Sequence, residues 1–282
     1  MKIAALAILI LASISAPFAA QCGKEANGAI CPNDLCCSFW GYCGSTEAYC
    51  SGPCQSQCGS VGRAKEGVSA VISSSQFNEM LLHRDNEFCP ARGFYTYDAF
   101  VDAANSFPGF AAVGDMDNQK RDVAAFLAQS SHYTTGGWPD APDGEFAWGF
   151  CYFLEQAFPH NHKNSPAREV PTNATLSFEK AISFWMTERP PKPSCHDVMS
   201  GMWMPTITDV SQGRLPGFGL TINIMNGREE CGHGEDYRAN NRIGFYKRFC
   251  DILGVSYGEN LDCNNQTPFG DRGRSAWNIF KQ

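Results

Sequence analysis

NQKRDVAAFLAQSSHYTTGGW, residues 118–138, is the stretch whose reading decides the fold. Val123, Phe126, Leu127 and Ser130 recur at helical spacing, and Asp117 stands ahead of them as a candidate N-cap. Gly136 and Gly137 are a stop signal, so the helix is expected to end near Thr135 with His132 and Tyr133 on its last turn. Two polar rings there are either acid–base groups at a cleft or ordinary polar residues at a helix end. Further along, a second helix is expected over 176–186, with Phe178, Ala181, Ile182 and Trp185 on one face and Pro190-Pro191 as its stop. A third, over 238–253, sets Ile243, Tyr246 and Cys250 on one stripe beside Phe245 and Phe249. No long alternating strand pattern occurs. This part of the chain is expected to be mainly α, with loops and short strands.

Residues 1–20, MKIAALAILILASISAPFAA, have one lysine, an apolar run and then small residues, the pattern of a signal peptide cut after Ala20. A membrane anchor is the alternative, but the run is short for a span and nothing later resembles a second one. All 14 cysteines follow this segment, and an even number in a secreted chain implies seven disulfides. Cys22, Cys31, Cys36, Cys37, Cys43, Cys50, Cys54 and Cys58 crowd together, whereas Cys89, Cys151, Cys195, Cys231, Cys250 and Cys263 are spread out. This divides the chain into a stapled module at 21–58, a Gly-rich polar linker at 59–67 and a domain with its own core at 68–282.

Loss of Lys2 with the leader leaves 21 basic against 29 acidic residues, a net charge of −8. With no Lys/Arg cluster to neutralise phosphates, nucleic acid is not an expected partner, and neither is a membrane. His132, His160, His162, His196 and His233 are scattered and the cysteine spacings match no zinc site, so no metal or cofactor is expected. The protein is expected to be a monomer.

About forty residues bury too little apolar surface to fold without cross-links. Within the module, SFWGYCGSTEAYC (38–50) places Trp40, Tyr42 and Tyr49 where little interior exists to hide them. Flat aromatic faces suit stacking on the C–H faces of a sugar, and the Ser38 hydroxyl suits orienting it. The alternative is a disulfide knot with incidental aromatics. Residues 21–58, with every cysteine, resemble the hevein-like chitin-binding domain. The resemblance implies sugar-binding roles for Ser38, Trp40, Tyr42 and Tyr49, with Tyr42 standing where many members carry Trp.

The blocks FYTYDAF (94–100), APDGEFAWGFC (141–151), ISFWMT (182–187), KPSCHDV (192–198), RLPGFGLTINIMNG (214–227) and ECGHGEDYRANNRIGFYKRFCDILGV (230–255) resemble family 19 plant chitinases, particularly the short class IV. That resemblance implies a two-lobed, lysozyme-like fold and inverting hydrolysis of β-1,4-linked N-acetylglucosamine polymers. Inversion needs a carboxylic acid and a second carboxylate as base, about 6.5–9.5 Å apart so that water fits between them. The family's acid is the Glu of SHETTGG, and here Tyr133 occupies that position. The base position falls on Glu155. Tyrosine, with an ordinary pKa of about 10, is a reluctant proton donor to a glycosidic oxygen.

The family's YYGRGPIQLSxNYNYG-like cleft segment has no counterpart between Glu155 and the ISFWMT helix, an absence with the look of a skipped exon. The resemblance further implies that Asn226 contacts substrate, that Glu230 and Arg242 form an ion network, and that Cys89 pairs with Cys151 and Cys231 with Cys263. Cys195 and Cys250 remain as a last pair. Asn173 and Asn265 head glycosylation sequons.

Asp140, Asp143 and Glu145 are solvated carboxylates near the opening stretch unless one has been recruited. The expectation is a secreted, extracellular or vacuolar chitin binder, defence-related, with hydrolysis lost or strongly impaired. The alternative is an active endochitinase with Glu145 as substitute acid and Glu155 as base.

Overall fold

In the computed structural model, the described residues are 21–32, 35–44, 47–58, 67–135, 140–153 and 173–270. The leader at 1–20, the linker except Gly67, Gly136, Gly137, Trp138, Glu155, His160 and His162 lie outside them. The chain divides into two compact units, Met1–Arg63 and Ala64–Gln282.

In the first unit, β1 (Cys36–Cys37) pairs antiparallel with β2 (Cys43–Gly44), and the short helix α1 (Glu47–Cys50) follows. Disulfides Cys22–Cys37, Cys31–Cys43, Cys36–Cys50 and Cys54–Cys58 cross-link it. These bridges replace a core that so short a segment cannot build.

The second unit is mainly helical: α2 (Val68–Val71), α3 (Ser74–Met80), α4 (Tyr97–Asn105), α5 (Met116–Thr134), α6 (Ala174–Met186), α7 (Cys195–Ser200), α8 (Ile207–Ser211), α9 (Phe218–Glu230) and α10 (Tyr237–Leu253). No strand of two or more residues occurs in it among the described residues. The expected helix of the opening stretch is α5, but it starts earlier. Asp115, not Asp117, is the N-cap, its carboxylate accepting from Asn118 N–H at 2.8 Å. The first turn is polar, so an apolar period could not mark its start.

Asn173 caps α6 and Asp236 caps α10, again just ahead of the apolar stripe. From Val123 to Ala128 every side chain of α5 is buried, so this part of the helix runs through the core with no solvent face. α10 lies along α5, and α4 packs on α6. Phe77, Phe100, Phe126 and Phe178, with Trp185 edge-on to Phe126, fill the space between them. No helix among the described residues is long and apolar enough to cross a membrane.

Cys89–Cys151 and Cys231–Cys263 are bonded, as the resemblance implies. The expected seventh disulfide is absent: Cys195 and Cys250 are buried thiols. They lie on different helices, α7 and α10, each of which packs against α5. Cys195, at the start of α7, is flanked by Arg189, Asp122 and Lys192, whereas Cys250 of α10 lies beside Tyr246, Arg121 and Asp251.

Candidate functional site

In the second unit the region of interest is built where α5, α9 and α10 meet. Arg242 of α10 is 0% exposed and Glu230 of α9 is 1% exposed. The guanidinium donates through Nε to Glu230 Oε2 at 2.8 Å and through Nη2 to Glu230 Oε1 at 2.9 Å, a two-pronged pair. Its Nη1 donates to Gln129 Oε1 at 2.5 Å, and Gln129 in turn donates to Thr221 Oγ1 at 3.0 Å. Asn226 donates to Glu230 Oε1 at 2.9 Å from a non-helical residue that kinks α9. Such a buried charge pair tolerates the loss of neither partner, because the survivor would be left desolvated and uncompensated.

Tyr133 lies against this network. Its ring is 6% exposed, with the Arg242 guanidinium carbon 4.5 Å from the ring centroid. Burial, outweighing the nearby Arg242 charge, pushes its phenol up to about 12. The group therefore holds its proton more tightly than a free tyrosine. Beside it, His132 Nδ1 donates to Asn241 Oδ1 at 2.7 Å, and Asn241 Nδ2 donates to Glu145 Oε1 at 3.1 Å. Burial and then the Arg242 charge hold His132 well below the usual imidazole value, so it is neutral near pH 7.

The two threonines of the opening stretch have a use that periodicity does not reveal. Thr134 Oγ1 accepts from Phe150 N–H at 2.9 Å, and Thr135 Oγ1 accepts from Cys151 N–H at 3.1 Å. They fasten the end of α5 to the segment that leads toward Glu155. The Glu145–Ala147 turn is seated against α10 through Phe146, whose ring fills the space a side chain at Gly244 would need: a Cβ there would come within 2.1 Å of it.

In the first unit, Ser38 O accepts from Gly41 N–H at 3.0 Å, a turn that puts Phe39 and Trp40 at its tip. Trp40 is 73% exposed and Phe39 52%. Ser38 is buried beneath them, its Oγ accepting from Tyr42 N–H at 3.2 Å. Tyr42 and Tyr49 are half-buried, and the Tyr49 ring occupies the space left by the missing side chain of Gly44. The four expected sugar-binding residues thus belong to one small hairpin and the helix after it. Phe39 was not singled out by the sequence pattern, although three aromatics in FWGY were a visible signal. Both sequon asparagines, Asn173 and Asn265, are exposed. Asn173 Oδ1 caps α6 by accepting from Leu176 N–H, a role that does not use the amide nitrogen.

The architecture has two parts, a disulfide-stapled module that exposes aromatic rings and a helical domain. The profile described as "Chitin recognition protein" matches residues 21–58. The profile "Chitinase class I" matches in two pieces, 71–171 and 163–263. "Chitinase 1" of Oryza sativa subsp. japonica is 48% identical over 319 aligned positions, covering 94% of this chain and 99% of the relative. "Endochitinase" of Persea americana is 48% identical over 307 positions, covering 94% of each chain.

"Inactive chitinase-like protein 1" of Hevea brasiliensis is 48% identical over 295 positions, covering 89% of this chain and 94% of the relative. The chain therefore belongs to the family 19 glycoside hydrolases, with a hevein-type chitin-binding domain. The alignment of 319 positions exceeds the 282 residues of the chain, so the rice relative has at least 37 residues without a counterpart here. The two pieces of the family match overlap at 163–171, between Glu155 and α6.

Proposed function

We propose that the protein binds chitin through Ser38, Trp40, Tyr42 and Tyr49, and that its hydrolysis of β-1,4-N-acetylglucosamine polymers is lost or strongly impaired. One observation carries the second half. At the position where a family member presents its acid, Tyr133 is buried beneath Arg242 with its phenol pushed up to about 12. General-acid assistance is worth ~10²- to 10⁴-fold in such reactions, and a phenol this reluctant forfeits it. The division of the family match into two pieces between Glu155 and α6 supports the same reading, because the resemblance places the wall that would position water on the base side in that interval.

Glu230 and Arg242 then serve a structural role, holding α9 to α10. A chain of this composition, with a leader and six disulfides, fits an extracellular or vacuolar defence protein that coats fungal or arthropod chitin.

A second reading has one observation in its favour. Glu145 is linked through Asn241 to His132, next to Tyr133, which brings a carboxylate into the neighbourhood of the vacant acid role. In that bond, however, Glu145 accepts, whereas the acid must donate. The test is to compare wild type with Tyr133→Glu for chitin binding and for hydrolysis of chitin oligomers. Binding by both, with hydrolysis absent from wild type, is the expected result. Wild-type cleavage that Glu145→Gln abolishes would establish the second reading.

A further inference from the structure

Phe39 is a large apolar ring more than half exposed, beside the still more exposed Trp40, in a module whose buried cluster is made mostly of disulfide cysteines. Its position is fixed, not incidental. Gln55 Nε2 donates to Phe39 O at 2.9 Å and to Ser38 O at 3.2 Å, and Gln55 N–H bonds Cys37 O at 2.8 Å. The Phe39 and Trp40 centroids are 5.0 Å apart with planes at 81°. Rings so nearly perpendicular cannot both lie flat on one run of sugar. If Trp40 stacks on a pyranose face, Phe39 meets what projects from the edge of that sugar or of its neighbour. The hydroxyl and hydroxymethyl groups at that edge are polar; the acetamido methyl is the apolar one.

We infer that Phe39 is a specificity-determining residue of the chitin-binding module, contacting the N-acetyl methyl group and so favouring acetylated over deacetylated polymer. This rests on the chitin-binding reading of Trp40. It adds an apolar wall to the stacking face and the Ser38 hydroxyl, at a residue whose ring would otherwise be left facing water.

The test uses the full-length protein and measures depletion isotherms on insoluble chitin and on a polymer of the same particle size that is almost fully deacetylated. Wild type, Phe39→Ser and Trp40→Ala are compared. Phe39 is at an exposed turn tip between disulfide-bonded cysteines, and peptide mapping of the six disulfides confirms that each variant is folded.

The expected result is that Phe39→Ser weakens binding to chitin by ~3- to 10-fold, the worth of one good aromatic contact, while binding to the deacetylated polymer changes less than about twofold. Equal losses on both polymers would mean that Phe39 only buttresses Trp40, and no loss on either that it does nothing; both outcomes overturn the inference. Retention of Trp40→Ala at wild-type strength on both polymers would instead remove the stacking reading, and this inference with it.

Discussion

At the scale of the residue, Arg242 shows most clearly how the second unit is held. Its charge is buried and answered by Glu230 through two hydrogen bonds. Arg242→Met leaves Glu230 alone in the interior and is expected to destabilise by about 3–5 kcal/mol in urea unfolding. Arg242→Met with Glu230→Met should recover most of that loss, because an apolar pair replaces two charges that no longer need each other. A single variant as stable as wild type would show that the pair is not buried in solution.

Two histidines set opposite pH slopes. The folded-state value of His132 is depressed by burial and Arg242, so its contribution is present above the unfolded value of about 6.5 and lost as pH falls. For His196, burial disfavours the cation, but the Asp122 hydrogen bond and charge outweigh it and raise the value. That contribution is complete below about 6.5 and fades as pH rises through the folded value. His132→Asn should therefore make the acid limb of a stability–pH curve shallower. His196→Gln should cost more near pH 5 than near pH 8, as denaturant titrations across this range would reveal.

At the scale of the element, α5 and α10 were legible because long apolar periods mark them, with the start of α10 placed to within one residue and the cap of α5 misplaced by two. The first turn of α5 is polar, so only the capping carboxylate of Asp115 locates its start. The pairing of Cys195 with Cys250 was misread, since elimination counts cysteines without knowing which helices face one another. Both thiols are pushed up by burial, Cys250 to about 12. A thiol reagent should find none in the native protein and two per chain after unfolding; none after unfolding would restore the seventh disulfide. Gly244 is a second test at this scale. Ala for Gly in a helix normally stabilises by about 1 kcal/mol. Here the new methyl meets the Phe146 ring, so Gly244→Ala should instead cost about 1–3 kcal/mol by thermal unfolding.

At the scale of the whole molecule, sequence blocks were enough to place the chain among family 19 proteins with a chitin-binding module. They also exposed the anomaly at Tyr133. What they could not give is how that residue is housed. The cation–π contact with Arg242, the links from His132 to Glu145 through Asn241, and the Thr134 and Thr135 clasps are long-range contacts with no local periodicity. Phe39 was overlooked for a related reason, since exposure at a turn tip depends on the hairpin and not on the residue's type.

The measurement that most directly addresses the proposed loss of hydrolysis is the release of oligosaccharides from chitin oligomers by purified wild-type protein, run beside Glu155→Gln. On the proposal that Tyr133 cannot serve as the acid, the two should be indistinguishable from each other and from buffer, while both remain bound to chitin. Wild-type turnover that Glu155→Gln abolishes would contradict this and show that another group donates the proton.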